Sequence, residues 1–292
     1  MQTLITKLNH DFLVRLQLVP GIGLAARRKV WQFLQDHLDE PLTIKQVAQL
    51  LALDAIGCTQ LFNNWHDDRL TATVLANEQH SQVVTIVDDA YPQHLRELYA
   101  APLALFCHGN LALLNDAGLA IVGARQATTY SYALLKQWLP ELVGIKRPII
   151  SGLAAGVDSL SHQLAMNNRG QTVAVIGTGL DVAYPASNQS LQQKIASEQL
   201  LVSEYPLGTT PAKHHFPERN RIIAGLAQAI LVTEAAIHSG SLITANIGLQ
   251  ENRDVLAVPG RVTDRLSAGC NALIAAGATP VSSAEDILNE LR

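Results

Sequence analysis

The sequence contains no stretch of about 18 apolar residues, so no segment is long enough for a helical membrane span. It also shows no charged-then-apolar leader at its start, and the chain is therefore expected to be soluble, unexported and cytoplasmic. Cysteine is scarce: Cys58, Cys107 and Cys270 lie far apart without a C-x-x-C pair, which excludes a disulfide framework and suits thiols that fill the core in a reducing compartment. Of the histidines, His214 and His215 alone are adjacent, and no metal-ligand spacing occurs, so no metal is expected. Positive charge is not in excess either. The formal net charge is −4, which argues against a chain that binds nucleic acid over its whole surface and leaves room only for a local basic groove.

Two nucleotide signatures are missing as well. After Gly177-Thr178-Gly179 a dinucleotide fingerprint needs a third small residue, and Val182 stands there; no G-x-x-x-x-G-K-[ST] is present. No cofactor is expected on these grounds. A G-x-S-x-G nucleophile elbow is likewise absent.

What remains is a 292-residue chain with 48% hydrophobic content, enough for two domains or one large one with a real core. Residues 1–72 read as all-helical: Phe12, Leu13, Leu16 and Val19 share one helical face, and Val30, Phe33 and Leu34 another. Between them lies Leu18 to Gly23, LVPGIG, which reads either as a helix-hairpin-helix turn holding one phosphate or as an ordinary tight turn. Thr43-Ile44-Lys45-Gln46 looks like a capped helix start. The polar stretch Asn64 to Ser81 is read as a boundary, with a second domain over 80–292. Strands are expected at Val83 to Val87 and Leu103 to Phe106.

From Leu119 onward six apolar runs alternate with helical segments: Leu119 to Gly123, Pro148 to Ser151, Thr172 to Ile176, Leu200 to Ser203, Ala229 to Thr233 and Val255 to Val258. That alternation predicts an α/β fold with a doubly wound, mainly parallel sheet covered on both faces. Ligands of such sheets bind at the carboxyl ends of the strands. Those ends carry Gly123-Ala124-Arg125, Ser151-Gly152, Gly177-Thr178-Gly179, Ser203-Glu204, Glu234 with Ser239-Gly240-Ser241, and Pro259-Gly260-Arg261. The recurrent glycines suggest a pocket lined by bare backbone.

The segment Phe216 to Ala245 concentrates the chemistry. Pro217 is read as pre-setting a helix start, with Arg219 and Arg221 near the positive end of the helix dipole, where a bound anion would offset their charge. Ser239-Gly240-Ser241 reads as a polar turn that caps the next helix and leaves its amides free. Lys213 adds positive charge nearby. Phe216 is either a ring for base stacking or part of the core, and the arginines either face a phosphate or pair with Glu204 or Glu234. Catalytic alternatives are an Asp158–His162 pair at i, i+4 and a Glu204/Glu234 carboxylate pair, the latter suiting a phosphoribohydrolase-like nucleotide-processing enzyme.

These blocks resemble the DNA-processing protein A (DprA/Smf) family: IVGAR (Ile121 to Arg125), SGLAAGVDSLSH (Ser151 to His162), AVIGTGLDVAYPASN (Ala174 to Asn188), SEYPLG (Ser203 to Gly208), FPERNRIIAGL (Phe216 to Leu226), SGSLITA (Ser239 to Ala245), DVLAVPG (Asp254 to Gly260) and GCNALIAAGA (Gly269 to Ala278). The resemblance covers the chain from about Val83, and the helical region resembles the SAM-like or helix-hairpin-helix domain of these proteins. It implies an extended Rossmann-like domain, not an enzyme, that binds single-stranded DNA as a homodimer, protects incoming DNA and helps load RecA recombinase in natural transformation. Carried onto this sequence, it makes Arg125 the first candidate for a phosphate contact, with Gly123, Ser151, Gly152 and Asn188 lining the pocket and Arg219, Asn220 and Arg221 shaping its wall. Where members often carry a lysine after the third block's Tyr-Pro, this chain has Ala186. The sequence ends at Arg292, so the two-domain form without a C-terminal winged helix is expected.

Overall fold

The computed structural model of the protein describes residues 2–291. Among these, nine strands form one sheet in the order β1-β2-β6-β5-β4-β3-β7-β8-β9. The strands are β1 Gln82–Thr85, β2 Ala104–Gly109, β3 Gly118–Val122, β4 Ile149–Ser151, β5 Thr172–Ile176, β6 Leu200–Ser203, β7 Ala227–Val232, β8 Asp254–Ala257 and β9 Thr279–Pro280. From β6 across to β9 every neighbouring pair is parallel, while β2 joins β6 antiparallel and β1 joins β2 antiparallel. All six expected parallel strands are present within a residue or two of their sequence bounds. β3, β5 and β6 are buried along their whole length, as continuous apolar runs covered on both faces should be.

Side-chain alternation along β3 divides the core. Leu119 and Ile121 face the helices Thr129–Leu142 and Ala284–Glu290, where Trp138, Leu139 and Ile287 pack, and Ala120 and Val122 face Ile222 and Ile223 of the helix His215–Leu226. The chain winds from β3 to β6 on one side and then returns to lay β7 against β3, with Ile121 opposite Leu231 and Val122 opposite Val232. Strand order therefore reverses at the β3–β7 junction, the place where doubly wound sheets open a crevice.

Ahead of the sheet come the helices Gln2–Leu18, Leu24–Gln35, Ile44–Leu50, Ala55–Trp65 and Asp68–His80. The Thr43 cap is a full capping box, with Thr43 and Gln46 satisfying each other's backbone amides. Gly21 adopts φ +91° in the turn, a left-handed conformation that only glycine takes easily. Most of the polar stretch Asn64–Ser81, read above as a boundary, is the helix Asp68–His80, whose polar side faces water while Leu70 and Asn77 are buried and Asn77 Oδ1 accepts from the Leu207 amide at 2.9 Å.

The first helix is tied to the sheet by a titratable clasp: His10 Nδ1 lies 2.8 Å from Asp88 Oδ2 and 3.2 Å from Thr85 Oγ1. The hydrogen bond to Asp88 raises the His10 pKa above its ordinary value of 6.5. Burial pushes the Asp88 carboxyl up, but the His10 bond and the Thr85 amide outweigh it and hold its pKa below 3.8. For His10 the sign is that of a raised folded-state pKa: its contribution is complete below pH 6.5 and fades as pH rises through the higher folded value. For Asp88 it fades as pH falls through the lowered value. The stability advantage of wild type over His10→Asn should thus be larger at pH 6 than at about pH 8.5 in urea unfolding. An advantage that grows toward alkaline pH would contradict the clasp.

Candidate nucleic-acid interface

The β3–β7 junction opens a cleft of about 730 Å³. One side is the β3 exit, where the chain turns at Gly123-Ala124 and leaves Arg125 exposed. The opposite side is the N-terminus of the helix Gly240–Gln250, reached by the loop after β7. The helix His215–Leu226 forms the wall, presenting Phe216, Arg219 and Asn220 at i, i+3, i+4. Arg125, Lys213, Arg219 and Arg265 line the cleft against the carboxylate of Asp158, a local positive excess in a chain of net charge −4.

Arg125 and Arg219 differ in kind. Arg125 is exposed, with its guanidinium carbon 5.7 Å from the centre of the Phe216 ring. Phe216 in turn meets Tyr184 at 5.3 Å, so a cation and two rings share one wall. Arg219 is the floor: it is buried, donates to the Val175 carbonyl oxygen, and lies directly over Gly152, where a Cβ would sit 2.1 Å from its Nη1. Burial brings its pKa down to about 10, Asp158 opposing that shift, so it stays charged at neutral pH. Burial likewise raises the Asp158 carboxyl, with Arg219 opposing.

Across the cleft, Ser239 Oγ meets Ser241 Oγ at 2.8 Å and makes no side-chain cap to the helix. Asn220 Nδ2 reaches the Gly240 carbonyl at 3.3 Å, joining the two helices. Gly240 is exposed, and a Cβ there would meet nothing within 4 Å. An uncapped, positively polarised helix end thus faces the cations, an arrangement that accepts an anion.

The structure therefore brings together Gly123, Arg125, Lys213, Phe216, Arg219, Asn220, Ser239, Gly240 and Ser241, with Gly152 under the Arg219 guanidinium. Three expected residues stand elsewhere. Ser151 is buried and donates to the Ile121 carbonyl at 2.6 Å, stitching β4 to β3. Asn188 donates to the Leu153 carbonyl at 3.0 Å, outside the cleft. Arg221 points to the far side of its helix into a buried ion pair with Glu204. The placement of the arginines at a helix start is corrected too: the helix begins at His215, so Pro217 sits inside the first turn, where its missing amide costs nothing, and both arginines follow it.

The glycine reading also changes. A Cβ at Gly123 would lie 2.6 Å from Val157 Cγ2, at Gly179 2.5 Å from the Pro206 oxygen, and at Gly260 2.1 Å from Ser267 Oγ. These three glycines admit neighbouring parts of the protein itself, while Gly240 leaves open space at the cleft. Tyr184 and Arg265 were not anticipated. Tyr184 lies inside the AYPASN block already singled out, while Arg265 carries no local signal beyond its charge.

Neither catalytic arrangement assembles. His162 Nδ1 is bonded to Thr172 Oγ1 at 2.6 Å, and burial lowers its pKa to about 3, leaving it neutral. Glu204 is locked with Arg221, while Glu234 accepts from the Thr128 amide at 2.9 Å and its hydroxyl at 2.6 Å. Among the described residues no group of three or more His, Cys, Asp or Glu side chains could hold a metal ion, and no helix is long and apolar enough to cross a membrane.

Comparison with known proteins decides the family. The model described as DNA recombination-mediator protein A matches residues 82–292. The chain belongs to this family. DNA processing protein DprA of Streptococcus pneumoniae is 47% identical over 206 residues, which is 70% of this chain and 73% of that protein. A solved structure of DNA processing protein A from the same organism superposes with a TM-score of 0.87 at 38% identity, covering 96% of this chain and 97% of the other. The likeness to this DprA structure therefore extends into the helical region. A second solved structure, from a study of the single-stranded DNA binding mode of DNA processing protein A from Helicobacter pylori, matches with a TM-score of 0.66 at 29% identity over 73% of this chain and 96% of that one.

Proposed function

We propose that this chain binds single-stranded DNA in the β3–β7 cleft and acts in DNA processing during natural transformation, protecting incoming DNA and helping to load RecA recombinase. The observation that carries the reading is the joint presence of Arg125, Lys213 and Arg265 with the Phe216–Tyr184 rings in one cleft of an acidic chain. Cations serve the phosphates, and rings stack bases of any sequence. The Helicobacter pylori relative, described for single-stranded DNA binding, supports the same assignment. The reading further holds that the protein is cytoplasmic, works as a homodimer with residues 1–72 as a separate helical domain, and binds without turnover. For the last point the support is that Glu204, Glu234 and His162 are all engaged internally.

The test is a titration of labelled single- and double-stranded oligonucleotides with the purified protein at several salt concentrations. Single strands should bind with little sequence preference and more tightly than duplex. Three exposed cations predict that log K falls with log salt at a slope of about −2. Affinity independent of salt, or release of free base from nucleoside monophosphates, would overturn the reading.

A further inference from the structure

The helix His215–Leu226 works on two sides. Phe216, Arg219 and Asn220 look into the cleft. Arg221, about 200° around the helix from Arg219, looks away from it, and its Nη2 lies 2.5 Å from Glu204 Oε2. Glu204 is in turn gripped from the helical region. Arg27 Nη1 is 3.6 Å from Glu204 Oε1, Gln17 Nε2 donates to the Glu204 backbone oxygen at 3.0 Å, and Arg27 Nη2 donates to the Gln17 backbone oxygen at 2.8 Å.

This cluster is largely buried yet incompletely matched. Glu204 is 2% and Arg221 7% exposed, while Gln17 Oε1, Arg27 Nε, and Arg221 Nε and Nη1 are buried without a hydrogen-bond partner. A seam needed only for cohesion would be better filled by apolar side chains, since half-satisfied buried ionic groups are poor stabilisers. What charges add is register: they fix one element against another at a defined position. Here the elements so fixed are the helical region and the helix that forms the wall of the cleft.

We propose that Arg27 and Glu204 are positioning residues for single-strand binding, acting through Arg221 to set the helix His215–Leu226, so that docking of the helical region governs how Phe216 and Arg219 stand in the cleft. The proposal rests on the single-strand reading above. It makes residues remote from the DNA determinants of affinity, and it assigns the helical region a role that needs no DNA contact of its own.

The experiment uses the full chain with Arg27→Met, Arg27→Lys, Phe216→Ala and the Arg27→Met/Phe216→Ala double variant. Two measurements are made: anisotropy with a labelled oligothymidylate, and amide hydrogen exchange over residues 215–226. Arg27→Met should weaken binding about 3- to 10-fold with the salt slope unchanged, because no phosphate contact is lost. Arg27→Lys should restore most of the affinity. In the Phe216→Ala background Arg27→Met should cost little more, the sign of residues acting as one unit. Exchange across 215–226 should rise in Arg27→Met. Should Arg27→Met fail to fold, Gln17→Ala, which removes the other grip on Glu204, carries the same comparison. A lowered melting temperature with unchanged affinity overturns the proposal, as do full additivity, an altered salt slope or unchanged exchange. If wild type holds no oligonucleotide, it is the DNA reading that falls, and the exchange rates alone decide whether Arg27 governs this helix.

Discussion

Glu204→Ala should destabilise the fold by about 3–5 kcal/mol, the range for removing one partner of a buried ion pair. Glu204 is the counter-charge to two guanidinium groups, Arg221 at 2.5 Å and Arg27 at 3.6 Å. Burial already lowers the Arg27 pKa, with Glu204 the main influence resisting that shift. Without the carboxylate, two cations remain side by side in a largely buried seam without a counter-charge. The loss comes from what is left behind rather than from the bond itself. Replacing both partners of the tight pair, as in Glu204→Leu with Arg221→Met, should therefore recover part of the loss that Glu204→Ala inflicts. Urea unfolding of the three proteins checks this. A Glu204→Ala variant within about 1 kcal/mol of wild type would mean that the seam is hydrated and the pair of little weight.

Arg125→Ala is expected to weaken single-strand binding by about 10- to 100-fold while leaving stability almost untouched, since a hydrogen bond to a charged group contributes about 1.5–3 kcal/mol. Arg125 is exposed, so nothing buried is orphaned by its removal. Its loss also takes away the cation 5.7 Å from the Phe216 ring, where backbone and base contacts would converge. The salt slope should become shallower by about 0.7, the share of one phosphate contact on a single strand. Arg169→Ala, an exposed arginine outside the cleft, serves as the control. The measurement is an anisotropy titration at two salt concentrations, and equal affinity of Arg125→Ala and wild type would place the DNA elsewhere.

The parallel sheet was readable because buried strands leave a coarse mark: TVAVI over 172–176 can hardly be anything but a strand covered on both faces. The position of Arg125 beside the cleft was readable for a related reason, since it stands immediately past such a run at a predicted strand exit. Arg219 and Arg221 show where reading stopped. They are two residues apart on one helix, and in sequence each reads equally as a phosphate contact or as a partner of Glu204 or Glu234. Which one enters the cleft depends on helix phase, and which is neutralised depends on Glu204 and Arg27, both distant in sequence. The strand-end glycines misled in the same manner. A glycine that admits Val157, Ser267 or an arginine from another element looks, in sequence, like one that admits a ligand. The helix Asp68–His80 leaves little mark in the sequence because its apolar side is narrow and its burial comes from long-range partners such as Leu207.

The missing side chain at Gly152 has an effect reaching beyond its own position. Its empty volume is the seat of the Arg219 guanidinium, and the smallest added carbon would lie 2.1 Å from that group. A methyl group there would evict the floor's cation without altering a single ionisable residue. The cleft would keep its composition and its formal charge and still present a different electric field to whatever enters it. A neutral position in the sequence thus holds control over where the positive potential of this family member is focused.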